Sequence, residues 1–209
     1  FTENTALGIT QASNVSFIIC TAPLLTTILS LLFYKSEKAS KGLIYGSLLA
    51  LMGVGLIVFN GSFVLKISPI GDLLTLLAAL SWAFYSLIIK KMAGRYPTVF
   101  ITRKIFFYGV LTILPAFLLH PLQPDTAVLL QPAVLFNLLF LAVLASLICY
   151  VLWNLVLKQL GTVRASNYIY LNPLVTMIAS FLILDEKITL VALGGAACIV
   201  CGVYWAEKK

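Results

Sequence analysis

Side chains that hold a metal, move a proton or attack a carbon are few in this 209-residue sequence, and fewer still are spaced to act together. Cys198 and Cys201 have the spacing of a redox or metal pair, but they lie inside the apolar run VALGGAACIVCGVYW with no histidine or further cysteine. Small buried residues for helix packing are the other reading of that pair. Cys20 and Cys149 also sit in apolar runs, so disulfides are not expected. The single histidine, His120, stands beside Pro121 at the edge of an apolar run, with no metal-ligand spacing and no nucleophile placed for it. Gly53-x-Gly55 lies within an apolar stretch, which excludes a phosphate-cradling loop. Glu37 and Glu186 each precede a lysine, where a surface ion pair or helix-end marker fits better than chemistry. No catalytic set, metal site or cofactor is expected.

The residues left are suited to recognition. Asn167, Tyr168, Tyr170 and Asn172 cluster just before Pro173. Tyr150, Trp153 and Asn154 share one helical face, as do Trp82 and Tyr85. Facing lipid, the Asn amides would be unsatisfied, so they should point inward. One reading has these faces line a cavity, with rings enclosing the apolar part of a solute and amides holding its polar groups. The other has them join helix to helix or anchor the chain at the membrane interface.

The elements that must position them are set by composition. Hydrophobic residues make up 61% of the chain and charged residues 10%, far from the roughly 45–50% and about 25% of a soluble domain. A buried α/β core would need covering helices with a charged outer face, and these runs are apolar all round. Spans of about 20 apolar residues cross a bilayer, and seven are expected, at 12–34, 42–60, 72–90, 99–119, 133–157, 164–184 and 188–206, with a stub at 1–10. Arg103 and Lys104, near the start of the fourth, must snorkel to the headgroups. No ionisable side chain falls in the central third of a span, so no embedded carboxylate proton switch is expected there.

Net charge is +7, and its placement argues against nucleic acid. Following the spans, one side of the membrane receives twelve Lys and Arg residues and the other only Lys66 and Lys187. Basic excess on short loops marks the cytoplasmic side, which also receives the C-terminus. The expected location is the inner (plasma) membrane, crossed many times.

The chain also repeats itself. A shift of 150 positions places Asn4 on Asn154, Ser16 on Ser166, Pro23 on Pro173, Thr26 on Thr176 and Ser30 on Ser180, among ten identities in the thirty positions from Asn4 to Phe33. After a one-residue slip, Glu37-Lys38 falls on Glu186-Lys187, Gly46 on Gly195 and Gly53 on Gly202. The expected division is 1–62, the last two helices and a stub of a first unit, and 63–209, a complete five-helix second unit. An odd number of spans per unit inverts one copy against the other, so the expected fold is an all-α integral membrane bundle of inverted five-helix repeats. Ten helices are expected when intact, about seven of them present here. Inverted repeats with a site near the midplane are the architecture of alternating-access transporters.

The strings GDLLTLLAALSWAFYSLIIKK, RASNYIYLNPLVTMIASFLILDEKIT and SNVSFIICTAPLLTTILSLLFYKSEK resemble the EamA-domain proteins of the drug/metabolite transporter superfamily across essentially the whole chain. The resemblance implies a ten-helix exporter or permease with both termini cytoplasmic, of which the first three helices lie outside this sequence. The expected function is secondary transport of a small organic metabolite, amino acid or drug-like solute. A solute channel or a non-transporting scaffold is the alternative. The expected partners are the solute and the bilayer, with a homodimer allowed and no nucleic acid. The expected solute-binding residues are Asn154, Asn172, Tyr150, Trp153, Tyr170, Tyr168, Asn167, Trp82 and Tyr85, with Asn4 as the repeat mate of Asn154. Pro23 and Pro173, each inside its span, are expected to bend their helices.

Overall fold

The computed structural model describes residues 2–34, 40–59, 68–119, 126–184 and 188–208. Lys35, Glu37, Lys38, Lys66, His120, Pro121, Asp185, Glu186, Lys187 and Lys209 lie outside them. The described residues contain seven helical spans long and apolar enough to cross a membrane: Ser13–Phe33, Lys41–Phe59, Pro69–Ala93, Thr98–Pro115, Pro132–Leu160, Thr162–Ile183 and Leu190–Glu207. The chain divides into two compact units, one of Phe1–Ile88 with Gly161–Lys209 and one of Ile89–Leu160.

The first unit contains α1 (Thr2–Leu7), α2 (Ala12–Ile19), α3 (Ala22–Phe33), α4 (Lys41–Phe59) and most of α5 (Pro69–Ala93). The second contains α6 (Thr98–Leu119), α7 (Thr126–Leu129), α8 (Pro132–Leu139) and α9 (Cys149–Leu160). The chain returns to the first unit with α10 (Thr162–Asn167), a 3-10 turn at Tyr168–Leu171, α11 (Asn172–Leu184) and α12 (Leu190–Glu207).

In a bilayer the hydrophobic effect does not drive apolar helices together, so side-chain size decides which faces meet. On α4 and α12 that face is glycine. A Cβ added to Gly46 would lie 2.5 Å from the Gly202 carbonyl oxygen, and one added to Gly53 would lie 2.5 Å from that of Gly195. Low numbers on α4 meet high numbers on α12, so these two helices, which are repeat mates, run antiparallel. Ala50, Val54, Ile199 and Val203 are buried along the contact and join Cys20 and Tyr170 in the core of this unit. The stripe leaves Cys198 half-buried and Cys201 exposed, so packing on α12 falls to its glycines and not to its cysteines.

Pro23 and Pro173 each lie inside one helical span, Ser13–Phe33 and Thr162–Ile183, where the winding changes. α2 stops at Ile19 and α3 starts at Ala22, with Pro23 in its first turn; Pro173 likewise stands in the first turn of α11, after the 3-10 turn. A first-turn proline lacks an N–H that would have no helical partner anyway, so a break accommodates it where a helix interior would not. Hydroxyls supply local hydrogen bonds on both sides of the first of these points. The Ile18 carbonyl accepts from the Thr21 hydroxyl at 2.6 Å and from its backbone N–H at 2.9 Å, and Thr27 donates to the Pro23 carbonyl at 2.9 Å.

In the second unit, the span expected as one α-helix is wound as π-helix over Phe140–Ile148 between α8 and α9. Nothing in the run FLAVLASLI explains that winding. α6 packs on α9. Near the start of α6, Arg103 lies 5.4 Å from the Phe100 ring centre and Lys104 5.8 Å from those of Phe100, Phe107 and Tyr108. Each cation thus rests on an aromatic face of its own helix.

Candidate functional site: a cavity at two broken helices

A cavity of about 530 Å³ opens in the first unit where the two helix breaks occur. One wall is α2, contributing Ser13, Ser16 and Ile19; the facing wall is α11, contributing Asn172, Thr176 and Ser180. Both walls follow from helical spacing. Ser13 and Ser16 are three apart, and Asn172, Thr176 and Ser180 are four apart, so each set forms a polar stripe on an otherwise apolar helix. Ile57 of α4 and Met177 of α11 supply apolar surface, and Glu3 of α1 supplies a carboxylate. None of the described lining residues is basic. The cavity can hold the apolar body of a small molecule against Ile19, Ile57 and Met177 while its polar groups meet hydroxyls, one amide and one carboxylate.

Of the residues expected from sequence, Asn172 and Pro173 line this cavity. The others in the first unit stand elsewhere. Tyr170 is completely buried in the core. Asn167, 1% exposed, accepts a hydrogen bond from Ser47 at 3.1 Å. Tyr168 is exposed on the 3-10 turn, and Asn4 is exposed on α1. Trp82 and Tyr85 pack ring on ring, 5.3 Å between centres, on α5. Pro23, mate of the cavity's Pro173, is buried.

In the second unit, Asn154 is 1% exposed and donates to the Thr102 hydroxyl at 3.0 Å. That hydroxyl in turn donates to the Thr98 carbonyl at 3.0 Å. Tyr150 meets Phe106 edge-on, with 5.5 Å between ring centres, and Trp153 is half-buried. Together these contacts tie α9 to α6.

Glu3, Ser13, Ser16, Thr176 and Ser180 are cavity residues that sequence reasoning did not select. Three of them, Ser16, Thr176 and Ser180, are repeat identities, so the signal was present as duplicated hydroxyls. Glu3 was missed because it falls in the 1–10 stub and not in a complete span.

The EamA-like transporter family matches residues 69–206. An uncharacterized transporter of Archaeoglobus fulgidus is 30% identical over 206 residues, which cover 98% of this chain and 70% of that protein. A protein of Escherichia coli named a probable amino-acid metabolite efflux pump is 24% identical over 205 residues, covering 95% of this chain and 69% of its own. A solved crystal structure superposes with a TM-score of 0.86 at 18% identity, over 99% of this chain and 71% of that one, a likeness of fold. With its apolar helical spans and a family match along about two thirds of its length, this chain belongs to the EamA-like transporter family and is a multi-pass membrane transporter, not an enzyme.

Proposed function

We propose that the chain carries the solute path of a secondary transporter that moves a small neutral or zwitterionic organic solute by alternating access between inverted repeats. The cavity between α2 and α11 carries this reading. Its volume of about 530 Å³ suits an amino acid or a compact amphipathic drug. Its hydroxyls and the Asn172 amide match carboxylate, carbonyl or hydroxyl groups, and Glu3 matches an ammonium. A solute of net negative charge would meet the Glu3 carboxylate with no described cation in the wall to offset it.

The name of the Escherichia coli relative puts amino acids and their analogues first among solutes to try. The antiparallel packing of the repeat mates α4 and α12 supports inversion of the two copies. The distribution of Lys and Arg supports an inner-membrane protein with its C-terminus in the cytoplasm.

Vesicles bearing the full-length protein test the reading with a panel of labelled amino acids, analogues and cationic drugs. Accumulation against a gradient is expected, with Asn172→Leu abolishing flux at unchanged membrane expression. Equilibration without accumulation would make the protein a channel, and undiminished flux in Asn172→Leu would remove that amide from the site.

A further inference from the structure

Six cations gather at one end of the second unit with no carboxylate of that unit among them. Between Ile89 and Leu160 the sequence holds Lys90, Lys91, Arg95, Arg103, Lys104 and Lys158, and its one acidic residue is Asp125, in the segment between α6 and α7. That segment follows the far end of α6, whereas five of the six cations stand at the end of α5, in the turn to α6 and near the start of α6. The sixth reaches the same end through the packing of α9. Asn154 meets Thr102 and Tyr150 meets Phe106, so α9 runs antiparallel to α6. In that register Lys158, one turn past Asn154, lies level with Thr98 in the first turn of α6.

Arg103 and Lys104 fall inside the apolar span Thr98–Pro115 and lie against the rings of Phe100, Phe107 and Tyr108. Ring faces offset part of the charge but offer no oxygen to guanidinium and ammonium N–H groups. Orienting the chain would need only lysines in the loops. Beyond these two cations the surface of the same helix is apolar. Phe107, Val110, Leu111 and Leu114 follow Arg103 at spacings of four, seven, eight and eleven, which puts them on one face, and all four are exposed. Positive charge at the rim of an apolar stripe complements an amphiphile with an anionic head and hydrocarbon tails. A free anion would gain nothing from the stripe.

We propose that this face of α6 seats an anionic phospholipid, its phosphate held by Arg103, Lys104 and Lys158 and an acyl chain lying along Phe107, Leu111 and Leu114. The assignment is independent of which solute the transporter moves.

Two measurements on the full-length protein test it. In mild detergent micelles supplied with phosphatidylglycerol, phosphatidylcholine or inorganic phosphate, native mass spectrometry counts the lipid retained. Phosphatidylglycerol should be retained in preference to phosphatidylcholine and should not be displaced by phosphate. Arg103→Gln, Lys104→Gln and Lys158→Gln should each weaken that preference by about fivefold, and Lys41→Gln, in the first unit, should leave it unchanged. Equal retention of the two lipids, displacement by phosphate, or undiminished preference in the three variants would overturn the proposal. So would an equal loss in Lys41→Gln, which would make the attraction one of diffuse charge. The second measurement needs none of these variants to fold. A photoreactive benzoylphenylalanine in place of Phe107, irradiated in membranes of both lipids, should yield phosphatidylglycerol adducts beyond that lipid's share of the bilayer. Adducts in proportion to the bilayer, or crosslinks to a second copy or to another helix of the full-length chain in place of lipid, would overturn it.

Discussion

Two adjacent glycines on α12 should respond oppositely to the same change. At Gly195 an added Cβ would sit 2.7 Å from the Gly53 carbonyl oxygen, 2.9 Å from Ile57 and 3.0 Å from Leu56; at Gly194 it would meet nothing within 4 Å. The nearest contact at Gly195 is a backbone atom about 0.7 Å inside the 3.4 Å at which ordinary contact begins, so α4 and α12 must part. A gap of 0.5–1 Å forfeits roughly a quarter to a half of each pair attraction along the seam, where Ala50, Val54 and Ile199 are all 0% exposed. Overpacking of this kind costs about 1–3 kcal/mol. Alanine is also favoured over glycine in a helix by about 1 kcal/mol, a gain common to both sites. Gly195→Ala should therefore be less stable than Gly194→Ala by about 1–3 kcal/mol, with Gly194→Ala at or above the parent. Reversible unfolding in mixed micelles of mild detergent and dodecyl sulfate, followed by tryptophan fluorescence, measures the difference. Equal midpoints for the two variants would refute the close approach of α4 and α12 at this point.

Other outcomes follow from single contacts. Asn154→Leu and Thr102→Val, combined in a double-mutant cycle by the same unfolding assay, should show a coupling of about 0.6 kcal/mol, the usual size for an interhelical bond in a membrane, since the amide donates to that hydroxyl at 3.0 Å; zero coupling would mean the bond does not hold α9 to α6. Thr189 caps α12 by accepting from the Ala192 N–H at 3.1 Å, so Thr189→Ala should cost about 0.5–2 kcal/mol, with Thr189→Ser retaining most of it. Gly161, between α9 and α10, has φ of +81° and ψ of 166°, a region that other residues enter only at a cost of about 1–3 kcal/mol. Gly161→Ala should lower the unfolding midpoint accordingly, and an unchanged midpoint would contradict that backbone conformation.

The spans were legible because the bilayer demands about 20 apolar residues from each. Six of the seven expected segments begin and end within three residues of the helical spans observed, and the seventh, at 99–119, ends four residues beyond the span Thr98–Pro115 and level with the end of α6. The Gly46/Gly53 and Gly195/Gly202 pairs were legible as packing faces from their spacing of seven, although only the structure shows that each pair meets the other. The prolines Pro23 and Pro173 fall inside the spans Ser13–Phe33 and Thr162–Ile183, at the points where the winding changes. Proline within an apolar run signals an interrupted backbone without saying whether the helix bends through it or stops and restarts, which depends on local partners such as Thr21 and Thr27. The polar residues were found by type, but their directions were not. Tyr170 and Asn172 are two apart and differ completely, one sealed in the core and the other on the cavity wall.

By itself the sequence determined that the chain lives in a membrane, where its spans lie, where its basic residues fall between them, and that one pattern of residues recurs at a shift of 150 positions. All of these are one-dimensional properties of apolar length, charge placement and identity at a fixed shift. Tertiary structure alone decided which copy of a duplicated serine or threonine faces open space. Ser16 and Ser166, or Thr176 and Thr26, are the same residue in the same local pattern, so nothing along the chain can tell them apart. Their difference in burial arises from how α2, α3, α10 and α11 pack, and packing is a property of the conformation the helices occupy.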